Sequence, residues 1–398
     1  MSGLVHVVLA GGRSRRFGAD KLSARLDGRS LLEVTLSALP SELPVFVVGP
    51  VRPSTRHVTF VREHPPGGGP GSALLAGLRH CRMEHLGSWV GVVPGDAPSA
   101  GHALVLLRQA LERSPGAVAA VGVDAVGALQ PLHLVLTPAG RDALLAAGTR
   151  HGGAAPSARG LVAALDPLLV PIEAQDVWDV DEPVQLAGWQ HRDAAPTRAV
   201  LERMRALAAD HPAGSPPLVV CLDGPSGAGK STLANALAVR TGAVVLEGDG
   251  FYSPRLGAMG LAWARTLSEE ALVEEVIDWR RLRAQGLEPL LAGREARYHP
   301  YDWDADDGSL GLQARLAAGP LVVLEGVYSA RPELRDLVDL TVYVQTPEPV
   351  LAARLAAREQ DDPGWAALWR SAERHYFRSH PRASYDLVVQ GSAVTLGP

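Results

Sequence analysis

The stretch Leu218-Val-Val-Cys-Leu-Asp-Gly-Pro-Ser-Gly-Ala-Gly-Lys-Ser-Thr232 decides the fold of the second half of this 398-residue chain. Its first five residues are apolar and partly β-branched, the pattern of a strand buried on both faces. The segment from Gly224 to Ser231 satisfies G-x-x-x-x-G-K-[ST], and Leu233-Ala-Asn-Ala-Leu237 continues it at helical spacing. Strand, Gly-rich loop and helix in that order make a phosphate cradle, because the glycines let backbone N–H groups converge at a helix N-terminus. The predicted nucleotide contacts are Gly224, Ser226, Gly227, Ala228, Gly229, Lys230, Ser231 and Thr232. Lys230 reaches the β and γ phosphates, and the Ser231 hydroxyl supplies an oxygen to Mg²⁺.

Downstream, two acids extend this reading. Val244-Val-Leu-Glu-Gly-Asp-Gly-Phe-Tyr252 places Asp249 just past a second apolar strand, where a carboxylate can take the proton of an acceptor hydroxyl. Leu321-Val-Val-Leu-Glu325 is a buried-type strand ending in a carboxylate suited to Mg²⁺. Either acid taken alone also reads as a helix cap or a solvated strand end. Leu351-Ala-Ala-Arg-Leu-Ala-Ala-Arg358 sets Arg354 and Arg358 one helical turn apart, able to clamp a transferring phosphate; surface arginines have the same spacing.

Upstream, His211-Pro-Ala-Gly-Ser-Pro-Pro217 stops a helix predicted over 197–209, with Val200, Met204, Leu207 and Ala208 as its apolar face and Arg198, Glu202 and Arg205 opposite. Before it, short β-rich runs at 4–9, 45–48, 58–61, 89–93 and 118–123 alternate with helical runs, which predicts a second α/β sheet covered by helices on both faces. The expected division is a first α/β domain over 1–190, a helix and Pro/Gly linker over 191–217, and a P-loop domain over 218–398. Both domains are expected to be doubly wound α/β folds, the first Rossmann-like.

The first domain opens with Val7-Val-Leu-Ala-Gly-Gly-Arg-Ser-Arg-Arg-Phe-Gly-Ala-Asp-Lys21. This is not G-x-G-x-x-G, yet Gly11 and Gly12 directly after a strand allow close backbone approach to a ligand, and Arg15, Arg16 and Lys21 gather positive charge for a triphosphate. Trp89-Val-Gly-Val-Val93 runs into Pro-Gly-Asp96, a carboxylate at a strand's carboxyl end where Mg²⁺ needs oxygen. A basic surface turn and a helix cap would give the same letters. Lys and Arg together number 38, and only Lys21 and Lys230 are lysines. Where Arg serves as the general cation, a retained ammonium is expected to be required, and both lysines fall in Gly-rich loops that follow a strand.

Two resemblances follow from these strings. The second half, through GPSGAGKST at 224–232, GDGFY at 248–252, LEGVYSARPELRDLVDLTVYVQTP at 324–347 and RLAAR at 354–358, resembles the uridine kinase-like P-loop kinases. That resemblance implies transfer of the γ-phosphate of ATP to a hydroxyl on a small-molecule acceptor, with Asp249 as base, Glu325 near Mg²⁺, and Arg354 and Arg358 in a lid. The segment from Arg297 to Trp303 would lie near the acceptor; His299, Tyr301 and Asp302 read either as acceptor contacts or as structural residues of their loop. The first half, through LAGGRSRRFGADK at 9–21, DGRSLLE at 27–33, REHPPGGGPGSALLAGL at 62–78, GDAP at 95–98, QPL at 130–132 and DVDEPVQL at 179–186, resembles the molybdenum cofactor guanylyltransferases. That implies attack of a pterin cofactor's phosphate on the α-phosphorus of GTP with release of pyrophosphate. Leu9, Ala10, Gly11 and Gly12 would hold the nucleotide, Arg16 and Lys21 would neutralise the triphosphate, and Asp96 would bind Mg²⁺. In this sequence His64 stands where that family often has an acid, and Gly49 where it can have Asn. Asp179 and Asp181 read either as further metal ligands or as a strand-edge turn.

With 46% apolar and 20% charged residues the chain can bury two cores, and a net charge of −5 offers no electrostatic case for nucleic acid or an acidic membrane. Two cysteines make no disulfide framework, and no apolar run reaches bilayer length, so a cytoplasmic protein is expected. One competing reading keeps one half catalytic and makes the other a nucleotide-sensing or scaffold module; another keeps two enzymes and changes their acceptors, for example a sugar-phosphate nucleotidyltransferase beside a kinase of another small alcohol.

Overall fold

The structure, a computed structural model, describes residues 3–12, 17–26, 28–64, 66–124, 127–149, 157–212, 214–357 and 363–391. The chain forms two compact units, Met1–Leu186 and Ala187–Pro398.

The first unit is built on a seven-stranded sheet. Its strands are β1 (Leu4–Leu9), β2 (Val45–Val48), β3 (Thr59–Val61), β4 (Trp89–Pro94), β5 (Ala119–Val123), β6 (Leu129–Leu136) and β7 (Leu168–Pro171), in the order β3-β2-β1-β4-β6-β5-β7. All neighbours are parallel except β6, which runs antiparallel to β4 and β5. Sequence patterning gave no hint of β6, because Gln130, Pro131 and His133 interrupt its apolar alternation. Period-two alternation sends Val5, Val7 and Leu9 to one face, into a core with Leu74, Leu75 and Leu78 of helix α1 (Gly69–Glu84). His6 lies on the opposite face, beside Leu104 of α2 (Ala100–Glu112) where both approach Gly91. Helices thus cover both faces. A shorter helix, Leu31–Ser37, starts at a capping box in which Ser30 and Glu33 satisfy each other's backbone N–H.

The second unit has a five-stranded, wholly parallel sheet: β8 (Leu218–Asp223), β9 (Val244–Glu247), β10 (Leu321–Glu325), β11 (Leu340–Gln345) and β12 (Leu387–Gln390), ordered β9-β10-β8-β11-β12. Val219, Cys221, Val322 and Leu324 share one core with Phe251, Leu256, Leu272 and Tyr376. The helix Ala195–Ala209 packs against the helix Lys230–Thr241 within this unit. Its buried face is Thr197, Val200, Leu201 and Met204; Ala208, expected in the apolar face, is exposed, because the helix leaves the body in its last turn. Among the described residues no helix is long and apolar enough to cross a membrane.

Candidate functional site

In the first unit, register places the chemistry. Leu9 pairs with Val48 on one side and Pro94 on the other, so the loops that leave β1, β2 and β4 emerge together at the carboxyl edge of the sheet. The approach is tight. Gly49 has φ 157°, and a Cβ there would come within 2.5 Å of the Ala10 carbonyl oxygen. This is why no side chain stands at that position.

These loops wall a cleft of about 650 Å³ whose lining includes Leu9, Ala10, Gly11, Gly12, Lys21 and Asp96. The Lys21 ammonium is ion-paired to Asp96 and donates to Asp181 Oδ1 at 2.7 Å. Burial alone would lower its proton affinity, but the two carboxylates outweigh burial and raise it, so Lys21 is firmly cationic. Asp179 opens onto the same cleft, and the surrounding protein mass, followed by the charge of Asp96, pushes its carboxyl up from the ordinary range. Backbone ties hold the arrangement: Gly95 N donates to Leu9 O at 2.9 Å and Val180 N to Asp96 O at 3.2 Å. Of the residues predicted for this site, Leu9, Ala10, Gly11, Gly12, Lys21 and Asp96 meet in the cleft, and Arg16 lies outside the described residues.

Three residues were missed or underrated. Arg52 donates to Ala10 O at 2.9 Å and to both oxygens of Asp20 at 2.8 and 3.0 Å, pinning the Lys21 segment to the β1 loop from 42 residues away. The acid of the β3 loop is Glu63, 8% exposed, which accepts from Gly67 N at 3.0 Å, whereas His64 points to solvent. The string REHPP carried that signal, one position earlier than expected. Asp181, whose letters favour a strand-edge turn over a metal ligand, is a Lys21 partner.

In the second unit, Leu222 pairs with Glu325 and Glu247 with Glu325, aligning the ends of β8, β9 and β10. The loop after β8 has Gly224, Gly227 and Gly229 at φ 145°, 77° and 97°. At Gly224 a Cβ would meet Val344 O at 2.3 Å, so only glycine fits the start of the loop. Lys230, 8% exposed, bends back to donate to Gly224 O at 3.0 Å and Pro225 O at 3.1 Å. Arg354 donates to Gly227 O at 2.8 Å, and Thr346 Oγ1 to Ala228 O at 3.0 Å. Glu325 is buried; burial and then the Asp249 charge push its carboxyl up, while Lys230 and a hydrogen bond from Ser231 oppose the shift. Gly224 through Ser231, Asp249, Glu325 and Arg354 are therefore gathered at one sheet edge, with Thr232 in the first turn of the following helix and Asp249 facing solvent on the turn Gly248–Phe251. Arg358 lies outside the described residues.

The acceptor candidates fare differently. Tyr301 is 3% exposed and donates to Asp306 at 2.8 Å, His299 Nδ1 bonds Gly311 O, and Asp302 accepts from the backbone of Asp304 and Ala305. All three shape their own loop. Sequence reasoning also passed over Asp223, fully buried, which accepts from the N–H groups of Gly224, Tyr328 and Ala330 and the hydroxyls of Tyr376 and Tyr385. It anchors the root of the loop.

The family model of the MobA-like NTP transferase domain matches residues 6–169. A probable molybdenum cofactor guanylyltransferase of Opitutus terrae is 33% identical over 143 residues, 34% of this chain and 70% of that protein. One of Bacillus cereus strain G9842 is 31% identical over 119 residues, 27% of this chain and 58% of that protein. Among solved structures, molybdopterin-guanine dinucleotide biosynthesis protein A of Archaeoglobus fulgidus superposes at TM-score 0.36 with 18% identity, over 52% of this chain and 99% of that one. A possible uridine kinase of Bacillus stearothermophilus superposes at TM-score 0.36 with 21% identity, over 48% and 98%. The matched segment holds the Gly-rich loop, Lys21 and Asp96, and through it the chain belongs to the MobA-like NTP transferase family and is a transferase.

Proposed function

We propose that the first unit transfers a guanylyl group from GTP to the phosphate of a molybdopterin-type acceptor, and that the second phosphorylates a small hydroxyl acceptor from ATP. The observation that carries the first reading is the convergence of Lys21, Asp96 and Asp181 beside a Gly-rich strand exit. A lone triphosphate would be repelled by those carboxylates, so the site suits a phosphate chain accompanied by a divalent cation. Mg²⁺ fits the donor set. Among the described residues no group of three or more His, Cys, Asp or Glu side chains could hold an ion alone. That agrees with an ion that uses one or two carboxylates and takes its remaining oxygens from substrate phosphates. Asp96 would hold it in the first unit, Ser231 and Glu325 in the second, where its charge would offset that of the transferring phosphates.

The chain's own groups then have defined tasks. The backbone at Gly11 and Gly12 lies against the nucleotide, and Lys21 and Arg16 neutralise the triphosphate. An acceptor phosphate oxygen attacks the α-phosphorus, and the bond to pyrophosphate breaks. In the second unit Lys230 turns from its loop carbonyls to the β and γ phosphates, Asp249 takes the acceptor hydroxyl's proton, and ADP leaves. The relatives' names supply the guanine and pterin assignments; the P-loop geometry supports the ATP assignment.

Mass spectrometry of products from the purified chain, supplied with Mg²⁺, each of the four NTPs and a panel of phosphorylated and hydroxyl acceptors, tests both halves. Guanylylated pterin and a phosphorylated alcohol are expected. Nucleotidyl transfer from CTP alone would overturn the guanine assignment, and absence of any ATP-dependent product across the panel would count against the kinase.

A further inference from the structure

The P-loop of the second unit carries an acid that phosphoryl transfer does not call for. Glu373 lies on the helix Pro363–Ser379, which follows the helix Glu348–Ala357 in the chain. Its carboxylate accepts from Ser226 N at 3.3 Å and from Ser226 Oγ at 2.5 Å. Burial raises its proton affinity, with the Ser226 bonds and Lys230 opposing. Three residues on, Tyr376 of the same helix donates to Asp223 Oδ2 at 3.0 Å, so this helix holds the loop at both root and crown. Arg370 and Arg374, on either side of Glu373 in sequence, line the same groove of about 570 Å³ as Glu373, Pro225 and Ser226.

A carboxylate and a phosphate oxygen cannot share one N–H donor, and two anions brought to the same donor repel each other. Crown donors of a P-loop face the phosphates, so the two anions compete. We propose that Glu373 is a positioning residue of the P-loop, whose carboxylate takes the Ser226 donors in place of a triphosphate oxygen and is displaced when nucleotide binds. Displacement moves the carboxylate toward Arg370 and Arg374, and couples phosphate binding to the helix Pro363–Ser379. The inference rests on the ATP reading of this loop.

The test is equilibrium binding of ATP with Mg²⁺, and of adenosine, to the full chain and to Glu373→Gln, which keeps an acceptor for Ser226 and removes the charge. ATP should bind about tenfold more tightly to the variant, as expected for loss of a charge-assisted competitor, while adenosine affinity stays unchanged. A role confined to folding would weaken both ligands together. Equal ATP affinity in the two proteins overturns the role of Glu373 and leaves the kinase reading standing; absence of ATP binding in both overturns the kinase reading itself. Hydrogen exchange in the wild-type chain gives a measurement free of substitution: the peptide over 363–379 should change its exchange on addition of ATP with Mg²⁺ and not of adenosine. No change on saturation with ATP would also overturn the proposal.

Discussion

At the scale of single residues, the two lysines carry the most direct tests of the proposed function. Lys230 is held by loop carbonyls within reach of the phosphate cradle, and an ammonium offers three donors to the β and γ oxygens at once. Lys230→Ala should lower ATP-dependent phosphoryl transfer by roughly 10²- to 10³-fold, read as kcat with the acceptor saturating. Asp249→Asn should leave ATP affinity nearly intact and lower transfer by roughly 10² to 10⁴, the range for loss of a placed general base; a parallel loss of ATP affinity would make Asp249 structural. In the first unit, Asp96→Asn keeps the shape of a Lys21 partner and removes the charge a hard cation needs. Pyrophosphate release should collapse while kinase turnover is unaffected, and release at the wild-type rate would remove Asp96 from the chemistry.

Among elements, the P-loop shows how a local motif depends on distant chain. Gly224 to Thr232 is readable as a motif, but its root is fixed by the five donors gathered on Asp223, from a turn near residue 330 and from Tyr376 and Tyr385. Asp223→Ala would leave these buried donors unpaired. It should destabilise the second unit by several kcal/mol, seen as a lower denaturant midpoint of one of two transitions. The strand residues Leu218 to Leu222 were legible because a parallel strand buried on both faces must be apolar throughout. β6 was not, since an antiparallel neighbour inside a largely parallel sheet is chosen by pairing, and pairing leaves no mark on Gln130, Pro131 and His133.

For the whole molecule, each unit has its own hydrophobic core, and among the described residues none belongs to both. Thermal unfolding should therefore show two transitions, with GTP and Mg²⁺ raising one and ATP and Mg²⁺ the other. Two buried histidines should make the first acid-sensitive. His6 and His133 are 1% and 2% exposed, and burial, joined at His6 by the charge of Arg56, lowers both from 6.5 to about 4. The unfolded chain binds these protons near pH 6.5 and the folded unit only near 4, so stability is complete above 6.5 and is lost as pH falls toward 4. In the second unit, burial raises the proton affinity of Asp223, which gives the opposite sign. Calorimetry from pH 7 to 4 that moves both transitions equally would refute this assignment.

By itself the sequence determined the two α/β halves, the Gly-rich loop after Leu218–Asp223, the β1 loop and the place of Lys21 and Lys230 in those two loops, because hydrophobic periodicity, glycine spacing and scarcity of a residue type are local or compositional properties. Tertiary structure alone decided that Asp181 joins Asp96 on Lys21, that Glu63 rather than His64 faces the cleft, and that Arg52 reaches back to Ala10. It also bonded His299, Tyr301 and Asp302 to groups of their own loop and brought Glu373 to Ser226, 147 residues away. These pairings depend on strand register and on which loops leave the same sheet edge, and a one-residue slip in either changes the partner without changing the motif.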